Sequence, residues 1–482
     1  GAAPKFPQPM ALEFLLRYHH TTNDPRALEM VTRTLDAMAR GGMYDQLGGG
    51  FHRYSVDDHW LAPHFEKMLY DNAQLARVYL HGWQVTSNPF YRTITEEILD
   101  YVVREMTDPA GGFYSTQDAD SEGEEGKFFL WTPDEIRDVL GDQSTHFMQV
   151  YGVTERGNFE GKNILEFVGS LEERESLADA RRQLFEVRER RVRPGRDEKV
   201  LTSWNGLMLA AFAEAARAFS PSPDVGKGGR GVRAKAYRQS RGYLSVAERN
   251  AEFLLSELGT PAGRLHRTWK SGGAKINGYL EDYVHLVEGL LELYQTTFDP
   301  RWYTAARELV EAMIEHFGAP VGFFDTSDDH ETLIVRPREL QDNAVPSGNG
   351  MAASVLLRLA GLAVEPRYGE LARAALRPMQ PLLARHPLGF GQWLIALDHA
   401  LAHPREIAIV GDAESADARA LLDTCATGYR PHQILAVGAS GAIPSLRGRE
   451  QLGGQATAYV CVDFTCRPPV TDPAALLDNL QE

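Results

Sequence analysis

The residues most able to do chemistry crowd into one stretch, Gly48 to Asn72, which holds three histidines, an arginine and four carboxylates among glycines and aromatics. A solvated loop rarely needs Phe51, Tyr54, Trp60 and Phe65 so close together, and a dry core rarely takes His64, Glu66 and Asp71 unpartnered, because burying a lone charge is costly. The mixture suits the wall of a polar cavity. His64, Glu66 and Asp71 are the expected catalytic groups. Two readings use them. Proton transfer at a carbon centre needs two positioned acid/base groups, here His64 with His52 or His266. Hydrolysis needs two carboxylates, Glu66 or Asp71 facing Asp118, Asp120 or Asp282, with a spacing of about 5.5 Å for retention or about 6.5–9.5 Å for inversion. His52, Arg53, Asn72, Asp118, Asp120, Trp204, Asn205, His266, Asp282 and Asn349 are the expected binding residues. Asp282 and Asn349, at helix starts, read equally well as caps.

The elements that must position these side chains are helices. Apolar residues recur at helical spacing through the first four hundred positions. Met10–His20 and Arg26–Arg40 read as a pair, with Asp24-Pro25 as cap and first-turn proline. A long helix is expected from Phe65 to Val85, which places Asp71-Asn72 beyond reach of a capping role. Phe128–Trp131 reads as a short strand. Further helices are expected over Tyr91–Met106, Leu171–Arg191, Tyr243–Leu258, Tyr279–Thr297, Trp302–His316 and Pro346–Ala363. A Gly-aromatic loop recurs before the more apolar helices, at Gly50-Phe51, Gly112-Phe113, Gly263-Arg264-Leu265 and Gly322-Phe323. Paired helices of this kind bury their faces only against neighbours. The fold they imply is a mainly α (α/α)6 toroid over 1–403, six-hairpin glycosidase-like, with a disordered insertion near 221–233. A small α/β region follows over 404–482, with strands at 406–411, 433–438 and 457–462. Loops preceding the apolar helices would converge on one mouth. Carboxylates, amides, histidines and aromatic faces together are what sugar sites use.

Composition narrows the field. The chain has 482 residues, 43% hydrophobic and 24% charged, and a net charge of −16. That charge argues against a nucleic-acid groove, which needs clustered Lys and Arg. No apolar run approaches the roughly 18 residues of a membrane span. Cys425, Cys461 and Cys466 are too few for a disulfide framework. Cys461 and Cys466 read as lying on opposite faces of one strand, so reduced thiols in a cytoplasmic protein are expected, the pairing being possible only if the strand ends between them. No metal or cofactor motif is evident: Gly126-Lys127 lacks the following Ser or Thr of a P-loop, and the loop from Asp118 to Phe129 lacks the Glu an EF-hand needs at its twelfth position.

Gly49-Gly50-Phe51-His52-Arg53-Tyr54-Ser55, Pro63-His64-Phe65-Glu66-Lys67-Met68-Leu69-Tyr70-Asp71, the loop Asp118 to Gly126, Thr202-Ser203-Trp204-Asn205-Gly206 and Pro346-Ser347-Gly348-Asn349 resemble the spermatogenesis-associated protein 20 / YyaL family, a thioredoxin-domain-containing group. The resemblance covers nearly the whole chain, including the tail from Cys461 to Pro473. It implies an N-terminal thioredoxin-like domain as a partner module, ahead of Lys5-Phe6-Pro7; that domain is missing from this chain, which starts at Gly1 and reads as cut from a longer protein. The helical part resembles the toroid of N-acylglucosamine and cellobiose 2-epimerases. The function these resemblances imply is a carbohydrate-active protein, epimerase- or isomerase-like or glycoside hydrolase-like, that binds a small sugar. The other class is a non-catalytic binding or regulatory domain serving a thioredoxin-like module.

Overall fold

A computed structural model describes residues 3–220, 230–331, 334–462 and 465–481. The chain forms two compact units, Gly1–Leu16 with Asp24–Val200, and Arg17–Asn23 with Leu201–Glu482. Both are mainly helical.

Three amphipathic helices begin alike: Pro25–Arg40, Pro89–Glu105 and Pro300–Phe317 each place proline at the first turn. The preceding Asp24, Asn88 or Asp299 accepts a hydrogen bond from the amide two residues on. Proline lacks only an amide that would be unpaired there anyway, so the start is sharply defined. Alternating with these are helices apolar on nearly every face, which must therefore be enclosed. They are Leu69–Thr86 in the first unit and Thr202–Ala218, Leu280–Thr297 and Gly348–Ala363 in the second. Small residues set the spacing in the second unit: a Cβ on Gly206 would sit 2.4 Å from the His285 carbonyl carbon, so the helices Thr202–Ala218 and Leu280–Thr297 pack backbone to backbone.

The Gly-aromatic loops share one geometry. The residues Phe51, Phe113, Leu265 and Phe323 each form an antiparallel bridge with the end of the preceding segment, at Tyr44, Thr107, Gly259 and Gly318. In three loops the following enclosed helix completes the turn. Asn72 accepts from the Phe51 amide at 2.7 Å and donates to its carbonyl at 3.1 Å. Asn349 does the same to Phe323, at 2.9 and 3.0 Å. The Tyr283 hydroxyl accepts from the Leu265 amide at 3.0 Å. Gly50 and Gly322, with φ of 80° and 70°, supply the left-handed residue before Phe51 and Phe323.

Several expectations change. The helix expected from Phe65 begins at Leu69, because Lys67-Met68 is extended and pairs with Thr116-Gln117. Asp71 therefore lies in the first helical turn. Of the strand expected over Phe128–Trp131, Phe128 and Phe129 form a turn and Trp131 makes an isolated antiparallel bridge with Asn163, while Phe128, Phe129 and Leu130 fill a core with Phe65 and Ile164. Of the expected insertion near 221–233, residues 221–229 lie outside the described residues, and the chain is helical from Arg230 to Phe253.

The C-terminal part of the second unit carries a four-stranded sheet. Arg405–Val410 pairs parallel with Gln433–Gly438 across the helix Ala416–Ala426, as a parallel pair requires a crossover. On its other side Arg405–Val410 pairs antiparallel with Thr457–Val462, which pairs with the short edge strand Thr465–Cys466. The expected reduced thiols are corrected here. Strand Thr457–Val462 ends before Cys466, the two cysteines face each other in antiparallel register, and they form a disulfide. Cys425 is free and buried. Among the described residues no helix is long and apolar enough to cross a membrane.

Candidate functional site

In the first unit the short strands Tyr54–Ser55 and Pro63–His64 pair antiparallel, which sets Tyr54 opposite His64. The chain then turns into the helix at Leu69. This compact path brings Arg53, His64, Glu66, Tyr70 and Asp71 into one cluster. Arg53 donates to Glu66 at 3.0 Å. His64 stands between two carboxylates, Nε2 3.6 Å from Glu66 and Nδ1 2.6 Å from Glu125. A carboxylate only accepts, so Nδ1 is the donor toward Glu125, while Nε2 faces Glu66. Asp71 is 4% exposed, and its Oδ2 has no hydrogen-bond partner among the described residues. Burial, reinforced by Glu66 and only partly offset by Arg53, pushes its carboxyl well above the usual carboxylate range. Those surroundings favour the protonated form of Asp71, beside an arginine and a carboxylate. Groups whose surroundings drive their protonation apart are the pattern of acid/base sites.

Beneath this cluster lies a charge network that the sequence did not disclose. Asp45, 6% exposed, accepts from Lys67 Nζ at 2.8 Å and from both Arg188 Nη atoms at 2.7 and 3.0 Å. Burial works against the Asp45 carboxylate, but Arg188 and Lys67 outweigh it and hold it well below the usual range. Burial pulls Lys67 down to about 8 against the pull of Asp45, which leaves it charged at neutral pH. His52 is buried in the same place, and its Nδ1 donates to the Phe65 carbonyl at 2.8 Å. Burial, then Lys67, lowers it to about 3, so it stays neutral. His52 is thus a part of the support rather than an accessible base. Asn72 is likewise spent on the Phe51 backbone and on Met68 O at 2.9 Å.

Asp118 and Asp120 are exposed, and Asp118 accepts only from its neighbour's amide at Ala119 among the bonds described. The residue from that loop that reaches the cluster is Glu125, which spacing alone did not single out. Tyr70 and Glu125 were both missed. Glu125 could have been found from its register opposite Asp120 in a short hairpin.

The second unit holds the other expected residues. Asp282, fully buried, accepts from the amides of Tyr279 at 2.8 Å and Ser203 at 3.0 Å, and from Arg267 at 3.2 Å. Its role is partly that of a cap. Burial, with Arg267 opposing and Glu281 adding, raises its carboxyl to about 6. Arg267 also donates to Glu281 at 2.8 Å and stacks 4.5 Å from the Tyr279 ring. Trp204 and His266 are half-buried, and the His266 carbonyl accepts from Thr202 at 2.7 Å. Asn205 is buried, donating to Leu201 O and accepting from Asn250, while Asn349 is the Phe323 clamp. Among the described residues no group of three or more His, Cys, Asp or Glu side chains is placed to hold a metal ion.

The chain is 33% identical over 535 residues to human spermatogenesis-associated protein 20, a match that covers 98% of this chain and 66% of the human protein. The chain belongs to the spermatogenesis-associated protein 20 family. The rat member is 32% identical over 541 residues, covering 100% of this chain and 66% of its own length. The chain thus spans 66% of the length of the family members it matches. No family model matches it. Among solved structures, cellobiose 2-epimerase from Spirochaeta thermophila is similar at a TM-score of 0.47 and 14% identity, over 80% of this chain and 77% of the epimerase.

Proposed function

We propose that this chain is an acid/base enzyme acting on a sugar, of the epimerase or isomerase kind, on an (α/α)6 toroid with its site around Asp71. The observation that carries the reading is the buried carboxyl of Asp71, with Oδ2 unpartnered among the described residues, close in the chain to an oriented histidine. Asp71 supplies a proton and His64 Nε2 receives one, with Glu125 fixing the tautomer. Arg53 and Glu66 hold hydroxyls on either side. The same carboxylates, Asp71 with Glu66, form the set that glycoside hydrolysis would need, and product analysis separates the two reactions.

A thermal-shift screen against mono- and disaccharides comes first, because a ligand that binds only the folded chain raises its midpoint. Hits are then followed for epimerised, isomerised or hydrolysed product. Asp71→Asn keeps the shape and removes the acid, so turnover is expected to fall about 100-fold or more with binding largely retained. Full turnover in Asp71→Asn and His64→Gln, or no sugar bound by the wild-type chain, overturns the reading.

A further inference from the structure

The C-terminal sheet carries a second chemical centre, well away in sequence from Asp71. Cys461 is buried on strand Thr457–Val462, while its disulfide partner Cys466 lies exposed on the two-residue edge strand. Arg449 points both terminal nitrogens at one sulfur only, Nη1 and Nη2 each 3.5 Å from Cys461 Sγ. Cys461 and Cys466 also line a cavity of about 130 Å³ together with Arg449, Glu406, Gly361 and Ser445. Glu406 faces Cys461 in register across the sheet, and the Tyr459 ring lies 5.2 Å from the Arg449 guanidinium. The bond spans a sequence separation of 5, so it removes little freedom from the unfolded chain. A bond placed for stability would close a longer loop and hide both sulfurs.

We propose that Cys461–Cys466 is a reversible thiol–disulfide exchange site whose partner is a dithiol reductant. An incoming thiolate attacks the exposed Cys466 Sγ, forming a mixed disulfide. The Cys461–Cys466 bond breaks, and Cys461 Sγ departs with the electron pair as a thiolate held by Arg449. The reductant's second thiolate then attacks its own sulfur in the mixed disulfide and frees Cys466. The reductant leaves as a disulfide, two electrons have passed to the chain, and the Cys466 thiolate takes a proton from water. The asymmetry is the substance of the site: one sulfur is open to attack, and the other has a cation waiting for the charge it acquires. Exchange is faster when the departing sulfur makes the more stable thiolate, and a neighbouring guanidinium provides that stability.

The full chain contains its own control, because Cys425 is buried and burial pushes its thiol up to about 12, so it is alkylated only when the fold opens. The folded chain is treated with dithiothreitol at pH 7, samples are quenched with maleimide, and the labelled cysteines are identified by mass. Cys461 and Cys466 are expected to label while Cys425 does not. Arg449→Gln is expected to slow reduction about threefold or more for each pKa unit by which the departing thiol rises. Cys466→Ser, which leaves Cys461 single beside Arg449, is the second variant. Its thiolate absorbance at 240 nm is expected to develop at a pH below the usual thiol value of about 8.5. Labelling of the pair only together with Cys425 overturns the proposal, as does wild-type reduction speed in Arg449→Gln. Should Arg449→Gln not fold, an absorbance transition of Cys461 at or above the usual value overturns it alone.

Discussion

Replacing Asn72 by alanine tests whether the paired loops are held as the structure describes. The change removes three hydrogen bonds, and two of them serve the Phe51 amide and carbonyl, for which no other partner is seen among the described residues. Phe51 is fully buried, so water cannot take over without opening the loop. A stranded buried backbone group costs about 1–3 kcal/mol, which gives a loss of about 2–6 kcal/mol for the pair. Asn349→Ala removes the equivalent two bonds at Phe323 and is expected to cost a similar amount. Asn72→Asp should be as damaging, because it turns the donor that faces the Phe51 carbonyl into an acceptor. Urea unfolding followed by two independent probes gives the size of the effect. Hydrogen exchange gives its place: protection should drop at the Phe51 amide in one variant and at the Phe323 amide in the other. A loss under about 0.5 kcal/mol with protection at Phe51 unchanged would refute the clamp.

Three further outcomes are expected. Asp45→Asn leaves Lys67 and Arg188 buried without their carboxylate, and unfolding by urea should register a loss of about 3–5 kcal/mol; a loss below about 1 kcal/mol would contradict the network. Gly206→Ala forces a methyl to within 2.4–2.5 Å of backbone at His285 and Leu286, costing about 3 kcal/mol. Gly242→Ala, on an exposed helical turn with open space around it, should instead stabilise by about 0.5–1 kcal/mol, and the two midpoints should move in opposite directions. Asp342 is raised by burial to about 6, despite the amides of Ser347 and Gln392 that it accepts. Below about pH 4 its carboxyl is protonated in both states and contributes nothing. Between about pH 4 and 6 the unfolded chain gives up the proton while the folded chain keeps it, so stability falls as pH rises, by up to ~3 kcal/mol. Asp342→Asn should flatten that fall in urea midpoints measured across the range.

Local signals carried the helices and much less of the site. Asp24-Pro25 and the apolar periodicity fix their helices because a cap and a stripe are written within a few residues. The Gly-aromatic repeat was legible for the same reason, although the bridges that unite its four loops were not. Asp45, Lys67 and Arg188 left no local trace, since the partners of a buried ion pair need share nothing in sequence. Asn72 and Asn349 read as ligands because an amide near a glycine loop looks alike whether it meets a sugar or a backbone. Asp71 reads as something other than a cap on the premise that it lies deep inside a helix, whereas it sits in the first turn, with Oδ2 unpartnered among the described residues. The disulfide was misjudged because a run of strand-forming residues was read as one continuous strand, when an early strand end places both sulfurs on one hairpin.

The Asp45–Arg188 pair spans 143 residues, and that distance has a meaning during synthesis. At ~5–20 residues per second, roughly 7–30 s separate the emergence of the carboxylate from that of the guanidinium. Lys67 arrives early and Arg188 late, so for those seconds the nascent loop has one of its two cations. The glycine loop and its helix can be sketched on the ribosome, but they are locked only when the last helix of the first unit delivers its arginine.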